Sequence, residues 1–161
     1  INPTDSFPND ELDVYAGYSL PSFAGVDTYL TFLAYFFPES GAEATYELTL
    51  GMSYDAGIVD LIGLVAYDFV VEGWNFQAGV SKGFAITDDL EIVLSAVIGG
   101  QNDYWSSNGF WNDVSVKAAL PIALTDNATL EPYIGGLFAL EAIDDFQDDI
   151  VHGGVSLSVS F

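Results

Sequence analysis

Hydrophobic side chains recur at every second position over stretches of about ten residues, and this period limits the fold more than any other feature. In Glu11–Leu20 one parity carries Leu12, Val14, Ala16, Tyr18 and Leu20, and the other carries Asp13, Tyr15, Gly17 and Ser19, as in a strand with two different faces. The same alternation predicts nine strands: Glu11–Leu20, Asp27–Phe37, Ala44–Tyr54, Val59–Val70, Trp74–Ala85, Leu90–Gly100, Asp113–Leu124, Thr129–Ala142 and Val151–Phe161. Turn-rich pieces such as SLPSFAG and TDNA separate them. The sequence therefore predicts an all-β, antiparallel meander.

The composition narrows the classes that such a sheet can belong to. The 161 residues are 50% hydrophobic and include 24 Asp and Glu but only two Lys or Arg, so the net charge is −22. Nucleic acid is excluded as a partner, because affinity for its backbone comes from Lys and Arg. There is no cysteine, which excludes disulfides and thiolate metal sites. The most apolar stretch, 58–71, is interrupted by Asp60 and Asp68, so no helix is predicted to cross a membrane.

Strand length and aromatic placement favour a transmembrane barrel over a soluble sandwich. Strands of about ten residues fit a tilted membrane crossing, short and longer connections alternate as in outer-membrane barrels, and large rings fall at strand ends on the apolar parity. Such rings form girdles at the two membrane surfaces. The predicted girdle residues are Tyr18, Phe36, Tyr46, Tyr54, Phe69, Trp74, Phe84, Phe110 and Phe161. We therefore expect an up-and-down β-barrel whose apolar face contacts lipid.

The opposite parity is small and polar, and it carries carboxylates that would line the interior of such a barrel. The predicted lining acids are Asp13, Glu47, Asp60, Asp68, Glu91, Glu131 and Glu141. Apolar residues such as Leu33, Ile62 and Leu64 share this parity. Both an open lumen and a plugged interior are therefore compatible with the pattern.

Several segments together resemble the TorF-like outer-membrane β-barrel proteins of Gram-negative bacteria, a group of unknown function. They are DELDVYAGYSL, the Phe-Pro-Glu loop, YDFVVEGWNFQAGVSKGFAITDDLEI, LPIALTDNATLEPYI and DDIVHGGVSLSVSF. The closing Phe161 is similar to the aromatic signal that such barrels present to their assembly machinery. The resemblance implies the cell outer membrane, with the lipid bilayer and the barrel assembly machinery as partners. It also implies a longer chain with further strands ahead of the first one seen here.

The predicted topology divides the chain into residues 1–10, an extracellular loop or N-terminal extension, and residues 11–161, the barrel domain. Outer-membrane barrels have even strand numbers and place their termini in the periplasm, whereas nine strands place residues 1–10 outside. Either these residues are a loop of a longer chain, or the count is wrong by one strand. If nothing is missing, closure needs a parallel pair of end strands or a partner chain.

Chemical sites are sparse in this sequence. The acidic cluster Asp144, Asp145, Asp148 and Asp149 has two interpretations. It is either a Ca²⁺ site, because Ca²⁺ prefers several oxygen ligands, or a set of solvated loop acids. No other cofactor is indicated. His152 has no nucleophile at a spacing typical of barrel hydrolases, and no enzyme is predicted.

Two functions remain. The first is a porin-like barrel whose acidic lumen favours cations. The second is a structural or assembly protein with a plugged barrel that contacts copies of itself or neighbouring membrane proteins.

Overall fold

A computed structural model shows that the protein forms one antiparallel β-sheet. It describes residues 12–38, 43–87, 90–104 and 106–159. Its strands, in chain order, are β1 (Leu12–Phe23), β2 (Val26–Phe36), β3 (Thr45–Asp55), β4 (Asp60–Asp68), β5 (Gly73–Thr87), β6 (Leu90–Asn102), β7 (Trp111–Ala119), β8 (Ile122–Thr125), β9 (Ala128–Ala139) and β10 (Ile150–Val159). The predicted all-β meander is confirmed.

The strands pair in chain order along the path β1-β2-β3-β4-β5-β6-β7-β9-β10, and the short β8 pairs with β9. β7 and β8 are two parts of one crossing, because both pair with β9 and only Leu120 and Pro121 separate them. Pro121 lacks the N–H that a continuous ladder would use, and this explains the interruption. The single strand predicted over Asp113–Leu124 is therefore divided, while the predicted total of nine crossings holds.

The connections differ in length between the two ends of the sheet. At one end, here called the turn end, residues 24–25, 56–59 and 126–127 join consecutive strands. At the other, the loop end, the connections 37–44, 103–110 and 140–149 are longer, and 69–72 is short. The alternation of short turns with mostly longer loops follows the prediction.

Two details differ from the sequence prediction. SLPSFAG is not a loop, because β1 continues to Phe23 and turns tightly at Ala24 and Gly25, both with positive φ. Pro21 is accommodated at an irregularity of the β1–β2 register, on a strand that pairs on one side. The strand predicted to reach Ala142 ends at Ala139. Residues 1–11, and with them the proposed division after residue 10, lie outside the described residues.

The two faces of the sheet differ in chemistry, and the polar face is more buried than the apolar one. We call the side of Glu47 and Thr49 the polar face, and the side of Leu48 and Leu50 the apolar face. Glu47 and Thr49 are each 6% exposed, whereas Leu48 is 38% exposed. Among the described residues, the buried hydrophobic side chains are those of Ala34, Ala66, Ala119, Ala142 and Ile143. A soluble sandwich buries its large aliphatic side chains, so this burial does not fit one.

None of the segments that the structure describes forms a helix of sufficient length and hydrophobicity to cross a membrane.

Candidate functional site

Every Asp and Glu in the described strands lies on the polar face. The strand register brings these nine carboxylates to one side of the sheet: Asp13, Asp27, Glu47, Asp55, Asp60, Asp68, Glu91, Asp113 and Glu131. The cations of the same strands are Lys117, on the polar face, and Lys82, on the apolar face opposite Leu94. The polar face is therefore strongly negative, and the apolar face carries no carboxylate in these strands.

Six of the seven acids expected to line the interior share this face, and the seventh does not. Glu141 lies beyond the end of β9, in the loop 140–149, and its Oε1 accepts a hydrogen bond from the Phe110 N–H at 3.2 Å. The expectation for Glu141 assumed a longer strand. Asp27, Asp55 and Asp113 were missed, although the parity that selects Thr31, Glu47 and Lys117 also selects them.

Glu47 and Asp68 form the most buried acidic pair of the described chain. They are direct cross-strand partners on β3 and β4, and they are 6% and 4% exposed. Thr49 Oγ1 donates to Glu47 Oε1 at 2.6 Å, while Asp68 Oδ1 accepts from the backbone N–H groups of Val70 and Val71 at 2.7 and 3.0 Å. These hydrogen bonds compensate part of the cost of burying two like charges side by side.

Tyr104 brings the loop after β6 onto this acidic pair. Its hydroxyl donates to Glu47 Oε2, across a sequence separation of 57 residues. Burial raises the pKa of Tyr104 well above its ordinary value, and the hydrogen bond and negative charge of Glu47 raise it further. Tyr104 therefore stays a neutral donor at physiological pH.

A cavity of about 480 Å³ opens beside the Glu47–Asp68 pair at the loop end of the polar face. Its polar wall includes both carboxylates, Asn75 and Gln77, and its apolar wall includes Leu64, Val71 and aromatic rings of β2 and the loops. Gly73 permits the close approach of loop and strand, because a Cβ there would lie 2.5 Å from the Asp103 carbonyl oxygen. The described lining contains no basic side chain, so the cavity suits cations better than anions.

A second cluster on the polar face surrounds Lys117. Its Nζ lies 2.7 Å from Glu131 Oε1 and 4.9 Å from the centroid of the Tyr133 ring. His152, on β10, makes an edge-on ring contact with Tyr133, with ring centroids 5.9 Å apart. The ammonium is thus held by one carboxylate and one aromatic face, which leaves most of the acids on this face without a cation among the described residues.

The loops 103–110 and 140–149 are joined at the loop end. Ser106 Oγ donates to the Ala142 carbonyl at 2.7 Å, and Gln101 Nε2 donates to the Ser106 carbonyl at 2.9 Å. Ala142 N–H also donates to the Trp111 carbonyl at 3.0 Å. Gln101 is only 1% exposed, so the joined loops close over the polar ends of β6 and β7.

The acidic loop residues do not form a metal centre. Asp144, Asp145, Asp148 and Asp149 are exposed, and Asp149 Oδ1 accepts from the backbone N–H of Ala139 at 2.9 Å. Within the ranges that the structure describes, no three His, Asp or Glu side chains are placed to hold a metal ion. The interpretation as solvated loop acids therefore fits this segment better than a Ca²⁺ site.

The aromatic rings on the apolar face form a band near the loop end. Trp74 lies 4.7 Å from Tyr67 and 6.2 Å from Phe76 between ring centroids, and Phe110 lies 6.0 Å from Phe76 and 5.0 Å from Trp111. Of the predicted girdle, Phe36, Tyr46, Phe69, Trp74 and Phe110 lie at this end, and Tyr54 and Phe84 lie near the turn end.

Two residues of the predicted girdle are not among these. Tyr18 is in the middle of β1 because that strand is longer than predicted. Phe161, the expected assembly signal, is outside the described residues.

The comparisons with known proteins concern the fold. No protein-family model and no curated protein matches the sequence. Among solved structures, the chain is similar to the NanC porin, with a TM-score of 0.60 and 13% sequence identity over 94% of this chain and 79% of that one. At this identity the likeness concerns architecture, and it shows that the chain has the all-β, antiparallel fold of a porin barrel.

Proposed function

We propose that the protein is a porin-like outer-membrane β-barrel whose acidic interior favours cations. The observation that carries the proposal is the sorting of all nine strand carboxylates onto the polar face, with exposed aliphatic and aromatic side chains opposite. Water-filled barrels in lipid have a polar interior and an apolar exterior. The similarity to the NanC porin supports the architecture, and the sequence resemblance supports the TorF-like group and the outer membrane.

The acids on the polar face supply the selectivity. Carboxylates that line a pore attract cations and repel anions, and the effect is strongest where little water surrounds the charges. The Glu47–Asp68 pair meets this condition, because both side chains are buried beside the cavity and Tyr104 reaches over them from the loop. We propose this pair as the main electrostatic filter, with the lipid bilayer and the barrel assembly machinery as partners.

A plugged structural barrel is the second candidate, and the joined loops are the observation that favours it. Ala142 and Ile143 of the loop 140–149 are buried, and Leu33, Ile62, Leu64 and Leu137 add apolar bulk to the polar face. A barrel closed in this way would contribute to membrane structure or to contacts with copies or neighbouring proteins.

Reversal potentials in a planar bilayer under a KCl gradient test the proposal. For the purified protein we expect steady channels with a cation-selective reversal potential. In the double variant Glu47→Gln, Asp68→Asn, the ratio of K⁺ to Cl⁻ permeability should fall several-fold, because two charges leave the most buried acidic part of the wall. Asp126→Asn is the matched control: it removes a charge at the exposed 126–127 turn and should leave the ratio unchanged.

Three outcomes would count against the proposal. Anion selectivity would show that the acidic face does not line the conducting path. An equal effect of Asp126→Asn would assign the selectivity to the overall charge instead of the pair. Silence from folded, inserted protein would exclude the channel and support the plugged barrel.

A further inference from the structure

The buried acidic pair Glu47 and Asp68 has no neutralising lysine or arginine in the chain. The two side chains are 6% and 4% exposed. The sequence has no arginine and two lysines: Lys82 lies on the apolar face opposite Leu94, and Lys117 is paired with Glu131. Burying a charge without a counterion is costly. The pair is therefore suited to a positive charge that comes from outside the chain.

One oxygen of this pair is left for such a ligand. Both oxygens of Glu47 are engaged, because Oε1 accepts from Thr49 and Oε2 accepts from Tyr104. Asp68 Oδ1 accepts from two backbone N–H groups of the connection 69–72, whereas Asp68 Oδ2 accepts no hydrogen bond from the residues that the structure describes. Oδ2 is not sealed from solvent, and Asp68 lines the cavity at the loop end. A buried carboxylate oxygen is usually satisfied by a donor, so this one points to a ligand that carries N–H or O–H groups.

The rest of the cavity wall is largely apolar and aromatic. It includes the aliphatic side chains and rings of Tyr35, Phe37, Leu64, Ala66, Val71 and Tyr104. The cavity volume of about 480 Å³ is within the range of roughly 300–1,000 Å³ that is typical of small-molecule sites. Aliphatic side chains favour hydrocarbon and aromatic faces attract cations. The wall therefore matches a molecule that combines a positive charge with an apolar part.

A bare metal ion matches the site less well than an organic cation. Ca²⁺ takes about six to eight oxygen ligands, and Mg²⁺ needs a nearly octahedral set. Across the described ranges of the chain, no three His, Asp or Glu side chains are grouped for a metal. Three of the four oxygens of the acidic pair already accept hydrogen bonds from the protein. One free carboxylate oxygen beside an apolar wall fits an ammonium group with a hydrocarbon substituent.

We propose that this cavity binds a primary organic ammonium ion, whose N–H groups donate to Asp68 Oδ2 and whose hydrocarbon part contacts Leu64, Val71 and the aromatic rings. A primary ammonium has three N–H donors, so it supplies both the charge that the pair lacks and the donor that Oδ2 lacks. The inference rests on the proposed cation-favouring interior, and it goes beyond it by naming small organic amines as the substrate class.

Isothermal titration calorimetry with benzylammonium, on the folded protein in a nonionic detergent, tests the proposal. We expect saturable binding of benzylammonium and none of benzyl alcohol, which has the same ring without the charge. Asp68→Asn should weaken the binding roughly tenfold or more, as the loss of a charge-assisted hydrogen bond does. The asparagine keeps Oδ1 for the 69–72 connection and replaces Oδ2 by an NH₂ group, so the turn is preserved while the acceptor is lost.

Two further variants separate charge from shape. Asp144→Asn is the matched control, because it removes an exposed carboxylate at the loop end that is not part of the cavity wall, and it should leave the affinity unchanged. Ala66→Leu keeps both carboxylates and reduces the space between Asp68 and Leu64, which share the polar face of β4 with it. In this variant the affinity for benzylammonium should fall more than the affinity for methylammonium.

Four results would overturn the amine site. They are equal binding of benzyl alcohol, an unchanged affinity in Asp68→Asn, an equal loss in Asp144→Asn, and binding of Ca²⁺ but not of benzylammonium. The calorimetric test is independent of conduction, so silence in the planar bilayer would exclude the channel and leave the amine site standing. A cation-selective channel that does not bind benzylammonium would keep the proposed function and remove only the amine site.

Discussion

At the scale of single residues, the most informative contact is the hydrogen bond from Tyr104 to Glu47. It attaches a loop to the acidic wall through one hydroxyl, and a hydrogen bond to a charged acceptor is worth about 1.5–3 kcal/mol. Because Tyr104 is partly exposed, we expect the lower end of this range for the loss of loop stability in Tyr104→Phe. The variant keeps the ring and removes only the donor.

The raised pKa of Tyr104 makes this contact dependent on alkaline pH. A tyrosine whose pKa is raised in the folded state contributes stability that is complete below the ordinary pKa of 10.0 and is lost as the pH rises through the folded value. The difference between the tyrosinate absorbance titrations of the wild type and Tyr104→Phe isolates this group. Its midpoint should lie above pH 10; a midpoint at or below 10 would show that the hydroxyl is not held by Glu47.

Gly73 is the residue that lets the same loop reach the strand. A Cβ at this position would lie 2.5 Å from the Asp103 carbonyl oxygen and 2.6 Å from Tyr104 Cα, and backbone atoms cannot swing away as a side chain can. Gly73→Ala should therefore displace the loop and cost about 1–3 kcal/mol in urea unfolding from lipid vesicles. The control Gly63→Ala meets nothing nearer than 3.8 Å and should change stability little. Equal effects would contradict a specific role for Gly73.

At the scale of strands and loops, period-two alternation predicts the features that depend on neighbouring residues. It fails for strand ends and loop contacts, which depend on segments far away in the sequence. The nine crossings and the face of each strand carboxylate follow from parity, since side chains alternate whatever the sheet contains. The length of β1 does not follow from parity, because Pro21 and Ser22 are also typical of loops. They stay within β1 because Leu20 and Phe23, on either side of them, pair with Thr28 and Val26 of β2. The same limit explains Tyr18, which the alternation places at a strand end and the longer strand places at its centre.

The loop contacts were beyond the reach of local pattern. Tyr104 lies in a stretch, QNDYWSSNGFWN, that combines turn residues with rings, and its sequence does not indicate which side of the sheet the rings contact. Its partner Glu47 is 57 residues away. Glu141 illustrates the converse error, since its parity continues that of β9, although β9 ends at Ala139 and the Glu141 side chain bonds to the loop residue Phe110.

At the scale of the whole molecule, the distribution of burial is the reverse of that in a soluble protein, and the proposed location in a bilayer accounts for it. Carboxylates and amides such as Glu47, Asp68 and Gln101 are at most 6% exposed, while the aliphatic side chains Val80, Leu94 and Val116 are more than 40% exposed. In water this arrangement would expose apolar area and desolvate charge, both unfavourable. In the proposed lipid location, the exposed aliphatic face would contact acyl chains, and the buried acids would lie on the interior side of the barrel.

This orientation predicts opposite effects for arginine on adjacent residues at the centre of β5. Val80 is 41% exposed on the apolar face, whereas Ser81 is on the polar face opposite Asp60. An arginine at the membrane midplane of a barrel's outer face costs about 2–4 kcal/mol, so Val80→Arg should lower the free energy of unfolding from lipid vesicles by that amount. Ser81→Arg gains an acidic neighbour and interior water, and it should cost well under 1 kcal/mol while reducing the permeability ratio of K⁺ to Cl⁻. The opposite result, a larger loss of stability in Ser81→Arg than in Val80→Arg, would contradict this orientation. A charge is costly where it is removed from water, so that result would mean that the apolar face at Val80 is in contact with water and does not face lipid.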